Sequence, residues 1–188
     1  MAPETLTNFT YNDLLEMPDD GRHYEILDGE LIVNAAPIPR HQVITFNVAT
    51  MLRSYVKPRK MGTVFISPID VVFSQEWVVQ PDVIYIRRER LSIMTRTNVS
   101  GAPDLAVEVL SESTRKRDEI KKRRAYEDFG VSEYWIIDPE LESVKVYRRN
   151  ERDRYDRVVE VSTETEGAVF TSPLFPGLEI SLAEVFEE

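Results

Sequence analysis

Two carboxylates, Asp82 and Glu108, lie in apolar stretches whose composition predicts β-strands. A charged group within an apolar strand is costly unless it is paired or holds a metal. The two acids are 26 residues apart, which leaves room for a strand, a loop and a return strand that place them side by side. Such a pair can bind Mg²⁺ or Mn²⁺ through oxygen, and the cation can lower the pKa of a water and offset the charge of a reacting phosphate. Because a lysine-rich segment follows, the spacing predicts a metal-dependent phosphodiesterase site.

Strand alternation indicates which acids can act together. In a strand over 104–110, Glu108 projects opposite the main apolar row, and Asp104 shares its face. Asp104 is nevertheless roughly 13 Å from Glu108 along the strand, too far for both to hold one ion. We therefore interpret Pro103-Asp104 as the start of the strand and Asp82 as the partner of Glu108. For either acid alone, a strand-edge or turn carboxylate is the alternative interpretation.

Local patterns predict the elements that carry these acids. Thr10 and Asp13 form a capping-box pattern for a short helix that ends before Pro18, and Asp28-Gly29 between apolar runs predicts a hairpin. The other predicted elements are a helix over 40–56, strands over 64–66, 69–73, 78–79, 83–86, 105–110, 134–137, 144–147 and 155–161, a helix over 115–129 ending at Gly130, and a last helix with a capping box at Ser181. These elements predict one α+β domain over residues 1–188, with a mixed central sheet flanked by helices.

Charge is unevenly distributed along the chain. The 188 residues carry a formal net charge of −10, which argues against a broad nucleic-acid footprint. Residues 115–124 hold seven basic and two acidic residues, so this segment nets +5 and the rest of the chain −15. Arg115, Lys116 and Lys121 in this segment are candidates for contacting nucleic acid; a solvated helix face is the alternative.

Composition also bears on the compartment. The chain has no cysteine, which excludes disulfides and thiolate metal sites and suits a cytoplasmic protein. No apolar run approaches the roughly 18 residues of a membrane span. The stretch from Met1 to Phe9 shows no secretory signal pattern. We expect a cytoplasmic protein without membrane contact.

Several motifs together resemble the Uma2 family (DUF820), bacterial proteins of the PD-(D/E)XK restriction-endonuclease-like superfamily. The motifs are 24–31 (YEILDGEL), 80–83 (QPDV), 101–111 (GAPDLAVEVLS), 130–139 (GVSEYWIIDP) and 173–178 (PLFPGL), with Ser113, Thr114, Asp118, Lys122 and Tyr126 between them. The resemblance implies a restriction-endonuclease-like core, an α/β/α-like arrangement with an N-terminal hairpin and helix added. It also implies Asp82 and Glu108 as ligands of Mg²⁺ or Mn²⁺.

The resemblance also assigns a catalytic lysine. The usual position in the superfamily, two residues after the second acid, is Leu110 here, so the Glu-x-Lys pattern is broken. The family supplies the lysine from the following helix, and Lys122 is the matching position. Neighbouring helical positions point about 100° apart, so we expect only one of Lys121 and Lys122 to face the site.

Three further residues match positions of the family. Glu25, in the Tyr-Glu motif, is expected as a third catalytic carboxylate; a hairpin carboxylate paired with a base is the alternative. His41 and Asp70 are expected to support the ligands from outside the ligand set, although a lone histidine is more often structural.

Three functions remain open from the sequence. The first is a Mg²⁺-dependent endonuclease acting on nucleic acid, with DNA as the favoured substrate. The second is a binding or assembly module on a nuclease-like fold, which the acidic balance favours and which folds as such permit. The third is a phosphodiesterase acting on RNA or a small nucleotide. We also expect a homodimer, the commonest assembly among soluble oligomers.

Overall fold

A computed structural model of the chain describes residues 8–18 and 20–188. Residues 1–7, which include most of the stretch searched for a secretory signal, lie outside the described residues. The strands are β1 (His23–Leu27), β2 (Glu30–Asn34), β3 (Gly62–Ile66), β4 (Val71–Ser74), β5 (Trp77–Val79), β6 (Val83–Arg87), β7 (Val99–Ser100), β8 (Leu105–Val109), β9 (Glu133–Asp138), β10 (Ser143–Arg149), β11 (Tyr155–Ser162), β12 (Val169–Thr171) and β13 (Glu179–Ser181). The helices are α1 (Tyr11–Leu15), α2 (Pro39–Arg59), α3 (Arg123–Phe129) and α4 (Leu182–Phe186), with a 3₁₀ helix at Arg88–Ile93 and a π-helical segment at Arg117–Lys122 that leads into α3.

A mixed six-stranded sheet with the order β11-β10-β9-β8-β6-β3 carries the two predicted acids. Strands β6 and β8 are antiparallel, and Val83 lies opposite Val107. One step further along this register brings Asp82 opposite Glu108. Strands β8 and β9 are parallel, so a crossover must connect them, and the helical stretch ending in α3 is that crossover.

A second sheet of five strands has the order β2-β1-β5-β4-β7. Its β1–β2 hairpin forms at the predicted turn, where Asp28 has φ 58° and Gly29 has φ 73°. Two positive φ values in a two-residue loop match the twist of the flanking strands. This hairpin places Glu25 on β1, where it faces the first sheet.

Buried side chains pack on both faces of the six-stranded sheet. Helices α2 and α4 cover one face, while α3 and the five-stranded sheet cover the other. On the first face, beneath α2 and α4, the buried residues include Ile44, Val48, Leu52, Val83, Tyr85, Leu105, Val107, Trp135 and Val185. On the second face, beneath α3 and the five-stranded sheet, they include Leu27, Val79, Ile84, Ala106, Leu110, Tyr126, Tyr134 and Ile136. Since side chains alternate along a strand, Asp82 and Glu108 both lie on the second face.

The α+β fold class with a mixed sheet is confirmed, and the differences lie in short or terminal elements. Helix α2 continues past Pro58 to Arg59, because a proline in the last turn forfeits few helix hydrogen bonds. Strands β7, β12 and β13 have two or three residues each, too few to show a period. The last helix begins after Ser181 as predicted, but the Ser181 side chain makes no capping hydrogen bond. Among the described residues, no helix combines the length and apolar character needed to cross a membrane.

The β3–β6 pairing depends on a close backbone approach at Gly62, which yields the first prediction. A Cβ built at Gly62 would lie 2.1 Å from the Ile86 carbonyl oxygen and 2.8 Å from the Tyr85 ring. We expect Gly62→Ala to lower the free energy of unfolding by about 3 kcal/mol, because buried backbone cannot easily move aside. Urea denaturation measures the change.

Gly167→Ala is the matched control. Gly167 also has a positive φ, 68°, but nothing lies within 4 Å of its added Cβ. Gly167→Ala should lower the free energy of unfolding by about 1 kcal/mol, because only the backbone conformation is unfavourable for alanine. Equal losses in the two variants would contradict the close-approach explanation.

Candidate active site

Asp82 is fixed at the end of β6 by two hydrogen bonds. Its Oδ2 accepts from the backbone N–H of Val109 at 2.7 Å. Its Oδ1 lies 2.8 Å from Nε2 of His41, near the start of α2. The bond to Val109 satisfies a backbone donor just beyond the β6–β8 ladder, so local sheet geometry fixes the carboxylate. His41 therefore contacts Asp82 directly, and its supporting role stays a prediction.

Glu108 is nearly buried, with 4% of its surface exposed. Its Oε1 accepts from the hydroxyl of Tyr126 at 2.6 Å and from Nζ of Lys122 at 2.9 Å. Within the part of the chain that the structure describes, no hydrogen bond reaches Oε2. One oxygen of Glu108 is thus held by the crossover helix, and the other is available on the face it shares with Asp82.

Lys122 lies among three carboxylates. Its Nζ is 2.8 Å from Oε1 of Glu25, 2.9 Å from Oε1 of Glu108 and 3.7 Å from Oδ1 of Asp118. The Lys122 side chain is only 4% exposed, whereas that of Lys121 is 53% exposed and pairs with Glu30 at 2.8 Å. Of the two neighbouring lysines, Lys122 is the one that faces the site.

The crossover helix explains how three of these groups converge. Asp118, Lys122 and Tyr126 are spaced four residues apart, so they share one helix face. Asp118 and Lys122 both lie in the π-helical segment Arg117–Lys122, where the helix is locally widened. Single π-helical turns within α-helices are frequent at functional sites.

Glu25 reaches the site from the other sheet. Its Oε1 accepts from the backbone N–H of Gln80, and its Oε2 accepts from Nδ2 of Asn34, both at 2.8 Å. Asp70 lies behind this group, because its Oδ1 accepts from Nε2 of Gln80 at 2.8 Å. The structure therefore places Glu25 as the partner of Lys122, and Asp70 supports Glu25 through Gln80.

Burial and opposing charges shift the pKa values in this cluster. Burial raises the pKa of Glu108 well above its ordinary value; Lys122 opposes this shift, and the carboxylates of Asp118, Asp82 and Glu25 add to it. Burial alone would raise the pKa of Glu25, but Lys122 and the hydrogen bonds to its carboxylate hold it below its ordinary value. Burial would lower the pKa of Lys122, yet the surrounding carboxylates raise it, so the ammonium stays protonated at neutral pH.

The predicted nucleic-acid contacts lie outside this cluster. Arg115 forms ion pairs with the carboxylates of Asp138 and Glu140. Lys121 is paired with Glu30, and Lys116 is exposed. Two of the three predicted contacts thus have their charge already compensated within the chain.

Several site residues were missed by the sequence reasoning. Asp118 matched the family without an assigned role, yet it is 2% exposed and its Oδ1 has no hydrogen-bond partner in the described part of the chain. Tyr126 matched the family but received no role, although four-residue spacing from Lys122 would have indicated it. Asn34 and Gln80 had no local signal, because only the sheet pairing brings them to Glu25.

The donor set fits a divalent cation held by two carboxylates. Among the described residues, no group of three or more histidines and acids is arranged to share a metal ion. Mg²⁺ often uses only one or two carboxylates and takes its other ligands from water and substrate phosphates. Three carboxylates (Glu25, Glu108 and Asp118) surround Lys122, and Asp82 lies opposite Glu108, so the local charge also favours a cation. Asp82 and Oε2 of Glu108 are the groups positioned to bind it.

Comparison with known proteins agrees with this architecture. The chain is similar to the crystal structure of a putative nuclease belonging to DUF820 from Anabaena variabilis ATCC 29413, with a TM-score of 0.78 and 21% identity over 94% of this chain and 97% of that one. This similarity shows a shared fold. The profile of Uma2, described as "Putative restriction endonuclease", matches residues 11–183, and the chain belongs to that family. No curated protein is significantly similar to it in sequence.

The ion cluster yields a stability prediction. Lys122→Met leaves buried carboxylates without their cation, so we expect the free energy of unfolding at pH 8 to fall by about 3–5 kcal/mol. Without Lys122 the folded-state pKa of Glu25 rises above its unfolded value. A raised pKa contributes stability below the unfolded value and loses it as pH rises through the folded value. The variant should therefore be more stable at pH 5 than at pH 8, as measured by urea denaturation.

Lys57→Met, at an exposed position of α2, is the control and should change stability by less than about 0.5 kcal/mol. An equal loss for Lys122→Met at both pH values would assign the effect to packing instead of charge.

Proposed function

We propose that this protein is a divalent-metal-dependent nuclease that hydrolyses phosphodiester bonds, with DNA as the favoured substrate. The observation that carries the proposal is the placement of Asp82 directly opposite Glu108, with the ammonium of Lys122 2.9 Å from Glu108. The family description and the name of the similar DUF820 structure support the same reaction class.

Asp82 and Glu108 would hold Mg²⁺ or Mn²⁺, which when bound supplies a Lewis acid beside the scissile phosphate. His41 and the Val109 amide fix the orientation of Asp82 through its two oxygens. Tyr126 does the same for Glu108 by donating to Oε1, and within the described residues Oε2 has no hydrogen bond. Outer partners of this kind commonly affect metal affinity 10- to 100-fold.

Lys122 has the chemistry of a hydrogen-bond donor. Its raised pKa keeps it charged, so it cannot accept a proton from water as a general base. A compact ammonium can instead stabilise the charge that builds on the phosphate or hold the attacking water by donating to it. Glu25 and Asp118 keep this charge in place, which gives Glu25 a role in positioning Lys122.

The proposal extends to the domain organisation, the assembly and the net charge of the chain. Residues 1–188 act as one Uma2-type domain, and two copies associate as a homodimer. The acidic balance of −10 limits nonspecific attraction to nucleic acid, so contacts near the site must supply much of the affinity.

Metal binding and cleavage measured on the same samples test the proposal. Wild-type protein should bind Mn²⁺ in a calorimetric titration and nick plasmid or cut single-stranded DNA in its presence. Asp82→Asn/Glu108→Gln should lose both activities, because the amides keep the shape but remove the charge. Glu160→Gln, which neutralises an exposed carboxylate on β11, is the control and should retain both.

Each other outcome assigns a different function. Metal binding without cleavage of DNA would keep the site and direct the search to RNA or nucleotides. If the wild type neither binds Mn²⁺ nor cleaves DNA in its presence, the nuclease proposal is wrong and a binding or assembly module is favoured. Loss of cleavage with unchanged metal affinity in the double variant would place the ion elsewhere.

A further inference from the structure

One long stretch of this acidic chain contains no acidic residue. The protein has 33 aspartates and glutamates, yet none occurs in residues 31–69. The same stretch carries five basic residues and so nets +5, which leaves −15 for the rest of the chain: Arg40, Arg53, Lys57, Arg59 and Lys60. It comprises most of β2, all of α2 and all of β3.

Three residues of the acid-free stretch 31–69 form hydrogen bonds with residues of the candidate active site. Asn34, near its start, donates to Glu25 at 2.8 Å. His41, at the first turn of α2, contacts Asp82 at 2.8 Å. Ser67, after β3, donates its backbone N–H to the Asp82 carbonyl oxygen at 3.1 Å. The first turn of α2 therefore lies at Asp82, next to the candidate active site.

Helix α2 presents one face to the core and the other to solvent. Ile44, Val48, Leu52 and Val56 are buried against the six-stranded sheet. The opposite face, here called the α2 outer face, is exposed and consists of Phe46, Thr50, Arg53, Ser54 and Lys57.

The cations of the α2 outer face form no salt bridge with the described carboxylates. Among the described residues, no carboxylate lies within salt-bridge distance of Arg53 or Lys57. In the basic segment 115–124, by contrast, most cations have carboxylate partners, as in the pairs Arg115–Asp138, Lys121–Glu30 and Lys122–Glu25. Arg53 and Lys57 are therefore exposed cations that no described carboxylate compensates.

An aromatic ring lies on the same face. Phe46 is 66% exposed, although a phenylalanine on a solvated helix gains nothing from folding there. Exposed aromatic rings interleaved with basic side chains are the combination that binds single strands, because bases stack on the ring while phosphates pair with the cations.

We propose that the α2 outer face binds single-stranded nucleic acid and leads it to the active site. The inference rests on the proposed nuclease function for its link to the site. Along the helix, Arg53 lies about 18 Å and Lys57 about 24 Å beyond His41. The distance from His41 to Lys57 is therefore long enough for roughly seven stacked nucleotides. The face points away from the sheet, so the strand must bend around the start of α2, which a single strand can do and a stiff duplex resists.

Binding without cleavage tests the proposal in the Asp82→Asn/Glu108→Gln parent, where the site is inactive. Labelled dT20 and a 20-bp duplex are titrated by fluorescence anisotropy at several salt concentrations. Arg53→Gln/Lys57→Gln should lower the slope of log affinity against log salt by about 1.4 for dT20, since each lost phosphate contact removes about 0.7. Phe46→Ala should weaken dT20 binding about fivefold to a hundredfold and leave the slope unchanged.

Matched changes elsewhere act as controls. Arg152→Gln/Arg157→Gln removes two exposed charges, and Leu15→Ala truncates an apolar side chain that is 63% exposed; both should bind dT20 as the parent does. Lys116→Gln/Lys121→Gln tests the competing basic segment and should also leave the slope unchanged.

Four results would overturn the proposal: no binding of dT20 by the parent, duplex bound at least as tightly as dT20, unchanged binding in the α2 variants, or a slope change confined to the Lys116/Lys121 variant. Failure of the nuclease proposal is distinguishable. If the parent binds dT20 through α2 while metal-loaded wild type cuts nothing, the binding face stands and the catalytic assignment is wrong. If the metal-loaded wild type cleaves DNA while the α2 variants bind dT20 as the parent does, the catalytic assignment stands and the binding face on α2 is wrong.

Discussion

The buried ammonium of Lys122 is the interaction on which the rest of the site depends. Three carboxylates from three separate elements meet this one cation: Glu25 from β1, Glu108 from β8 and Asp118 from the crossover helix. None of them could remain charged at such burial alone, since an unpaired buried charge is costly. The cluster therefore ties the two sheets and the crossover helix together at one point.

The candidate active site brings together more carboxylates than lysines. Three carboxylates surround Lys122, and burial together with the charges of Asp118, Asp82 and Glu25 raises the pKa of Glu108. Buried ion clusters seldom add stability relative to apolar packing, so their presence indicates a different use. A divalent cation between Asp82 and Glu108, followed by a substrate phosphate near Lys122, would satisfy what the folded chain leaves uncompensated.

The distribution of positive charge bears on how so acidic a chain could bind the nucleic acid that we propose as its substrate. The segment 115–124 is the richest in arginine and lysine, but the fold pairs most of these residues with acids. In the acid-free stretch 31–69, Arg40 pairs with Glu142 and Glu188, whereas Arg53 and Lys57 remain exposed on the α2 outer face. Net charge is thus a poor guide here, because pairing in the tertiary structure decides which charges a ligand can meet.

The sequence by itself determined the parts of the fold that depend on neighbouring residues. The Thr10 cap, the Asp28-Gly29 turn, the α2 face and the alternation of β8 all follow from local periods and backbone preferences. Strand patterns also indicated Asp82 and Glu108 as a pair, and the family motifs added Lys122. Only the tertiary structure decided their partners: the register that sets Asp82 opposite Glu108, the β1–β2 hairpin that brings Glu25 to Lys122, and the helix turn that adds Asp118 and Tyr126. Such contacts join residues far apart in the chain, and pairing energies between strands cannot be read from either strand alone.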